Sequence, residues 1–199
     1  LDQLFFGNEL RNDSLSAFDF PKRRFITELV YGTVRHLSHL DFWILKVFKK
    51  PLKRMDKELL SLIRVSLYQI LFMSNREAAT IVFEAAELAK RCGNEKTAGL
   101  VNFILREILR TNPTRENMEA DFVGKHDEFL QTYYSVPQWL YDRIKTQAAT
   151  VGQDNEEYLR IVNKPLGITL RIEGDENLRQ QIIEKLVLKG ASAEKAKLS

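Results

Sequence analysis

From Arg24 onward Phe25, Leu29, Val30, Val34, Leu37 and Leu40 recur three or four residues apart, and Phe42, Trp43, Leu45, Val47 and Phe48 carry the pattern on until Pro51 interrupts it. This spacing puts apolar side chains on one face of an α-helix and predicts helix up to the proline. Asp56 is placed to cap the next helix, with Glu58 in its first turn, where negative charge complements the helix dipole. In that helix Leu59, Leu60, Ile63, Leu67, Ile70 and Leu71 are joined by Leu62, Val65, Phe72 and Met73, so it is apolar around most of its circumference and predicts a central, surrounded element. A further helix is expected from about Thr80 to Cys92, with Ile81, Ala85, Leu88 and Cys92 on one face and Gly93 as its stop. Asn94 caps the one after it, whose stripe of Ala98, Val101, Leu105 and Ile108 ends before Pro113. Leu4, Phe5 and Phe6 before Gly7 read as the last turn of an earlier helix.

After Pro113 the pattern weakens. Glu116, Glu119, Asp121, Asp127 and Glu128 give the stretch the look of an acidic linker, and a second unit is expected from about Ser135. There Pro137, Trp139, Leu140 and Ile144 begin a helix, and another is expected from Asp154 to Val162 until Pro165 and Gly167 break it. Ile168, Leu170 and Ile172 alternate like a strand with one buried face, and Leu178, Ile182, Ile183, Leu186 and Val187 follow at helical spacing up to Gly190. The fold class expected is mainly α. An antiparallel helical bundle occupies residues 1–112, an acidic linker residues 113–134, and a small, incomplete α+β segment residues 135–199. A single strand needs partners, and the chain opens at Leu1 without Met, so a longer parent protein is expected.

Charge changes the picture more than composition does. The chain carries a formal +3, yet between Lys22 and Lys57 there are ten Lys or Arg (Lys22, Arg23, Arg24, Arg35, Lys46, Lys49, Lys50, Lys53, Arg54, Lys57) against Glu28, Asp41 and Asp56. A local excess of seven positive charges in a helical region is an electrostatic footprint for a polyanion, most simply RNA. The expected RNA-binding residues are Lys22, Arg23, Arg24, Arg35, Lys46, Lys49, Lys50, Lys53 and Arg54. The competing reading is a solvated face whose cations favour the carbonyl end of a helix. Lys22, Arg23 and Arg24 have no such excuse, because they sit at a helix start and oppose its dipole.

Other candidate chemistry is thinner. Arg35, Arg106 and Asn102 could contact bases or phosphates, but read more simply as partners of buried carbonyls or a nearby Glu. His36 and His39 share a helix face without a third metal ligand at convincing spacing and read as a surface pair. Trp43, Tyr68 and Tyr31 could stack on bases, although aromatics at helical spacing usually belong to the core. Cys92 is the only cysteine, which excludes an internal disulfide and fits a reducing cytoplasm. No apolar run is long enough to span a membrane and no signal-peptide pattern is present.

Several motifs then fall into a familiar order. Thr27-Glu28-Leu29-Val30-Tyr31-Gly32-Thr33-Val34-Arg35, Leu67-Tyr68-Gln69-Ile70-Leu71-Phe72, Glu84-Ala85-Ala86-Glu87-Leu88-Ala89-Lys90 and Val101-Asn102-Phe103-Ile104-Leu105-Arg106 resemble the NusB-like domain of the Sun (Fmu) family of ribosomal RNA cytosine methyltransferases. Tyr134-Ser135-Val136-Pro137-Gln138-Trp139-Leu140 and Ile168-Thr169-Leu170-Arg171-Ile172 resemble the segment leading into the catalytic part of that family. The resemblance implies an all-α RNA-binding module joined to an S-adenosylmethionine-dependent enzyme that methylates cytosine carbon 5 in small-subunit ribosomal RNA. The family's Cys nucleophile after a Pro and its Gly-rich cofactor loop have no counterpart here, so no cofactor and no catalysis are expected of this chain itself. The expected partners are small-subunit ribosomal RNA and the parent's own catalytic domain. Two rivals stand beside this: a non-enzymatic, NusB-like antitermination factor acting with a protein partner, and a protein-interaction scaffold with a merely solvated basic face.

Overall fold

The structure, a computed structural model, describes residues 19–73, 76–164, 171–190 and 193–195. Helix α1 (Phe20–Arg35) opens with Pro21, which lacks the N–H a first turn leaves unused, and Asp19 caps it by accepting from the Lys22 amide at 3.3 Å. The periodicity predicts one helix through to residue 48, but the chain breaks at His36 (φ −106°, ψ 22°), and α2 (Leu37–Phe48) sets off anew. Apolar spacing cannot register such a corner, since the side chains on both sides of it still face the core. Lys49 closes α2 in the left-handed conformation, a 3-10 turn (Leu52–Arg54) follows, and Asp56 caps α3 (Lys57–Phe72) by accepting from the amides of Glu58 and Leu59.

Helix α3 is the central element, with Leu60, Ile63, Leu67 and Tyr68 buried. Helices α4 (Ala78–Cys92) and α5 (Glu95–Arg110) form the most intimate pair of the fold. Their joint is a capping box: Asn94 Oδ1 accepts from the amides of Lys96 and Thr97, and Thr97 Oγ1 accepts from the Asn94 amide at 2.9 Å.

The stretch expected as an acidic linker is folded instead. Residues 115–133 form α6 (Arg115–Glu119), a second 3-10 turn (Ala120–Phe122) and α7 (His126–Tyr133), and Met118, Phe129 and Leu130 are buried in the same core as α2, α3 and α5. The α8 (Gln138–Val151) and α9 (Asn155–Asn163) helices add Tyr141, Ile144 and Leu159 to it, so among the described residues one compact unit continues to Asn163 rather than ending near residue 112. Two of the acids that suggested a linker are paired at its surface: Asp127 accepts from the Tyr141 hydroxyl at 2.7 Å and Glu128 from Lys125 Nζ at 3.2 Å. Glu156 of α9 accepts from Arg115 at 2.6 Å and from the Tyr134 hydroxyl at 2.7 Å. These bonds hold the Glu156 carboxyl down to about 2, through Arg115 first, then Tyr134 and Arg160.

In the second unit, Lys164–Ser199, helix α10 (Glu176–Leu188) is capped by Asp175, which accepts from the Leu178 amide at 2.8 Å. The expected strand at residues 168–172 lies mostly outside the described residues; its described part, Arg171 and Ile172, belongs to no regular element. The expected helix turn at Leu4, Phe5 and Phe6 lies outside them altogether. Among the described residues the chain is helical, with no strand.

One glycine is dictated by packing. A Cβ at Gly32 would lie 2.0 Å from Cζ and Oη of Tyr68, a buried ring that α1 rests on. Gly32→Ala is therefore expected to cost about 1–3 kcal/mol by overpacking, even though alanine gains roughly 1 kcal/mol of helix propensity. A denaturant melt checks this; stability equal to or above that of the unaltered chain would contradict it.

Candidate nucleic-acid interface

The nine expected cations divide by position into three groups. The largest lies where α2 ends. Lys49 takes a left-handed turn (φ 54°) and its amide donates to Leu45 O at 3.0 Å, which closes the helix. Pro51 then forces the chain into the 3-10 turn, in which the amides of Arg54 and Met55 donate to Pro51 O and Leu52 O, both at 2.9 Å. Met55 is buried and Leu52 packs half-buried against the core, so two apolar anchors hold the turn from beneath. Lys49, Lys50, Lys53 and Arg54 stand exposed above them, and none makes an ion pair among the described residues. Four exposed cations within six residues, without ion pairs among the described residues and carried on a clamped turn, form a basic ridge.

Lys46 does not belong to that ridge. Its Nζ is bonded to Asp121 Oδ2 of the second 3-10 turn and lies over the rings of Trp43 at 5.4 Å and Phe42 at 5.8 Å. No local pattern around Lys46 signals a partner 75 positions away.

The second group, Lys22, Arg23 and Arg24, occupies the first turns of α1 and is exposed. Lys22 Nζ sits 3.6 Å from Asp19 Oδ2 in a solvent-exposed pair of small energetic weight. By helical rise this group starts about 21 Å from the His36 corner, and the α2 end lies about 18 Å from it along the other arm. Arg35 is alone in the third group. It lies half-buried in the last turn of α1 and its side chain makes no hydrogen bond or ion pair among the described residues, so it is not the buried-carbonyl partner expected of it.

The histidines are not a surface pair. His39 is buried, with Nδ1 3.1 Å from Tyr133 O and Nε2 accepting from the Trp43 indole N–H at 3.3 Å, which requires the Nδ1–H tautomer. His36 stacks on Phe72 with ring centroids 4.0 Å apart, and its buried Nδ1 has no hydrogen-bond partner among the described residues. Burial, then the nearby charges of His39 and Arg35, push the His36 imidazole down to about 4. Burial lowers His39 as well, against a raising bond to Tyr133. Among the described residues no cluster of His, Cys, Asp and Glu could hold a metal.

The aromatics separate. Trp43 and Tyr68 are core residues, whereas Tyr31 is 54% exposed on the outer face of α1. Arg106 is exposed, and its Nε donates to Asn102 Oδ1 one turn back at 2.8 Å, so these two partner each other instead of a buried carbonyl or a Glu. Among the described residues no helix is long and apolar enough to cross a membrane.

Residues 2–110 match the NusB family. The chain is 31% identical over 178 residues to the probable ribosomal RNA small subunit methyltransferase B of Bacillus subtilis, covering 89% of this chain and 38% of that protein. It is 28% identical over 167 residues to the corresponding Synechocystis protein, covering 83% of this chain and 36% of that one. The transcription antitermination protein NusB of Geobacter sulfurreducens is 34% identical over 94 residues, covering 47% of this chain and 68% of that protein. The chain thus spans little more than a third of the methyltransferase relatives it matches and about two thirds of the antitermination protein. With a matched family region over more than half its length, a helical core around α3 and homology to ribosomal RNA small subunit methyltransferase B over most of its residues, this chain belongs to the NusB family.

Proposed function

We propose that this chain is the RNA-binding, targeting module of an S-adenosylmethionine-dependent enzyme that methylates cytosine in small-subunit ribosomal RNA. The observation that carries the reading is the reach of the similarity. It extends over 89% of the chain with the Bacillus subtilis methyltransferase relative, well past Arg110, where the NusB family match stops. The module grips RNA through the ridge at residues 49–54, with the first turns of α1 and Arg35 as further contacts. Backbone charge and shape supply affinity there without selecting sequence. In this reading the protein works in the cytoplasm beside its own catalytic domain.

The methyl donor would be held by that domain. Among the described residues there is no strand leading through a glycine loop into a helix, and Cys92 is exposed at the end of α4 between Arg91 and Gly93, so the residues here do not fit the cofactor and no chemical step is assigned to them.

A free-standing antitermination factor is the second reading, favoured by the Geobacter sulfurreducens relative, but that match covers only 47% of this chain. The coding sequence downstream of Ser199 separates the two. A glycine-rich cofactor loop and a Pro-Cys pair are expected there; a stop codon directly after the module would contradict the targeting role and leave the free-standing factor.

A further inference from the structure

We propose that Tyr31 is a base-stacking residue and that the outer stripe of α1 formed by Arg24, Tyr31 and Arg35 holds a short run of unpaired nucleotides. This rests on the RNA-binding reading above and deepens it from backbone charge to contact with bases.

The stripe follows from helical geometry. At 100° per residue, positions 24, 31 and 35 fall within about 40° of one another around the axis, with Arg24 about 10 Å and Arg35 about 6 Å from Tyr31 along it. Tyr31 is 54% exposed, whereas Tyr68, which faces the same helix, is 3% exposed. The ring is therefore exposed on the same stripe as the exposed Arg24 and the half-buried Arg35, and neither arginine is ion-paired among the described residues.

One acid, Glu28, lies on the same stripe and would oppose a phosphate. The Tyr68 hydroxyl draws it aside by donating to Glu28 Oε1 at 2.7 Å. The support beneath is rigid as well. Gly32, next to Tyr31, lets α1 rest directly on the Tyr68 ring, so the helix that carries the stripe is seated on the core. An exposed aromatic ring on a seated helix, with arginines on the same stripe, is an arrangement that binds single strands: the ring stacks on any base, and the guanidinium groups take the adjoining phosphates. Paired bases in a duplex do not offer their faces, so the ligand is single-stranded.

Anisotropy titrations of the whole chain test this with two probes, a short unstructured single-stranded RNA and the same oligonucleotide made abasic through its middle. Tyr31→Ala is expected to weaken binding of the intact strand roughly tenfold. It should leave the salt dependence unchanged and bind the abasic strand as the unaltered chain does. Tyr31→Phe keeps the ring and is expected to keep the affinity. The exposed position predicts unchanged thermal melting for both variants. Equal binding of the intact strand by Tyr31→Ala overturns the proposal and leaves a protein contact as the use of this ring. A loss of the same size on both strands overturns stacking too. If charge reversal at residues 49–54 still abolishes binding in those cases, the RNA-binding reading stands without the stacking site. If the unaltered chain binds neither strand, both fall together.

Discussion

Replacing Lys49, Lys50, Lys53 and Arg54 together with Glu is expected to abolish RNA binding while leaving the helical signal and melting behaviour nearly unchanged. Each phosphate contact on a single strand contributes about 0.7 of a decade in affinity per decade of salt, so losing four costs several hundred-fold near 0.1 M salt, before the repulsion from four new carboxylates. The fold is insulated because all four side chains are exposed and unpaired among the described residues, while Leu52 and Met55 anchor the turn from below. Lys46 is left out of this variant on purpose. Reversing it would break the bond to Asp121 and the contacts over Trp43, and a loss of binding could then be a loss of structure. A filter-binding or anisotropy titration beside a circular dichroism melt reads both quantities. Unaltered binding would reject the ridge.

The second large effect is acid sensitivity beginning well above the usual carboxylate range. His36 titrates at about 4 in the fold against 6.5 in a free chain, chiefly because it is buried, and His39 shifts the same way. A base whose folded value is depressed makes no difference above the unfolded value. As pH falls below about 6.5 the unfolded chain takes up protons that the native state refuses, so stability declines down to about pH 4. A fully expressed shift of this size corresponds to about 3 kcal/mol for His36. Below the unfolded value of 4.5, Glu156, held at about 2 by Arg115, adds a second loss as its bonds are protonated away. Urea melts from pH 7.5 to 4.5 should show the first decline. His36→Phe keeps a ring against Phe72 and removes the buried, unpartnered Nδ1, so it should flatten the slope without lowering stability at pH 7. An equally steep slope in that variant would contradict the assignment.

Much of the bundle was legible because its helices announce themselves locally. The apolar circumference of α3, the Asp56 cap and the Gly93-Asn94 joint are each properties of a few neighbouring residues. What could not be read depended on distant partners. The corner at His36 is invisible to periodicity, and its ring is explained by Phe72 and Tyr68 of α3. Acidic composition hid the helices after Pro113, although Met118, Phe122, Phe129 and Tyr133 carry core contacts among those acids. The balancing groups, Arg115 for Glu156 and Tyr141 for Asp127, become visible only on folding.

The candidate site shows the same division. The charge excess was plain in the sequence, yet Lys46 resembles Lys49 until Asp121 is brought to it. Tyr31 and Trp43 fit the same helical pattern, and only packing decides that one faces water and the other the core. The cations at residues 49–54 are adjacent in sequence, so a turn suffices to gather them.

The salt dependence of RNA affinity in the unaltered chain puts the grip on RNA to the plainest test. Four phosphates neutralised on a single strand give a slope of about −2.8 in log affinity against log salt, a roughly fifty-fold loss between 50 and 200 mM. A slope near zero, or no measurable binding at the lower salt, would mean that the basic ridge is only solvated.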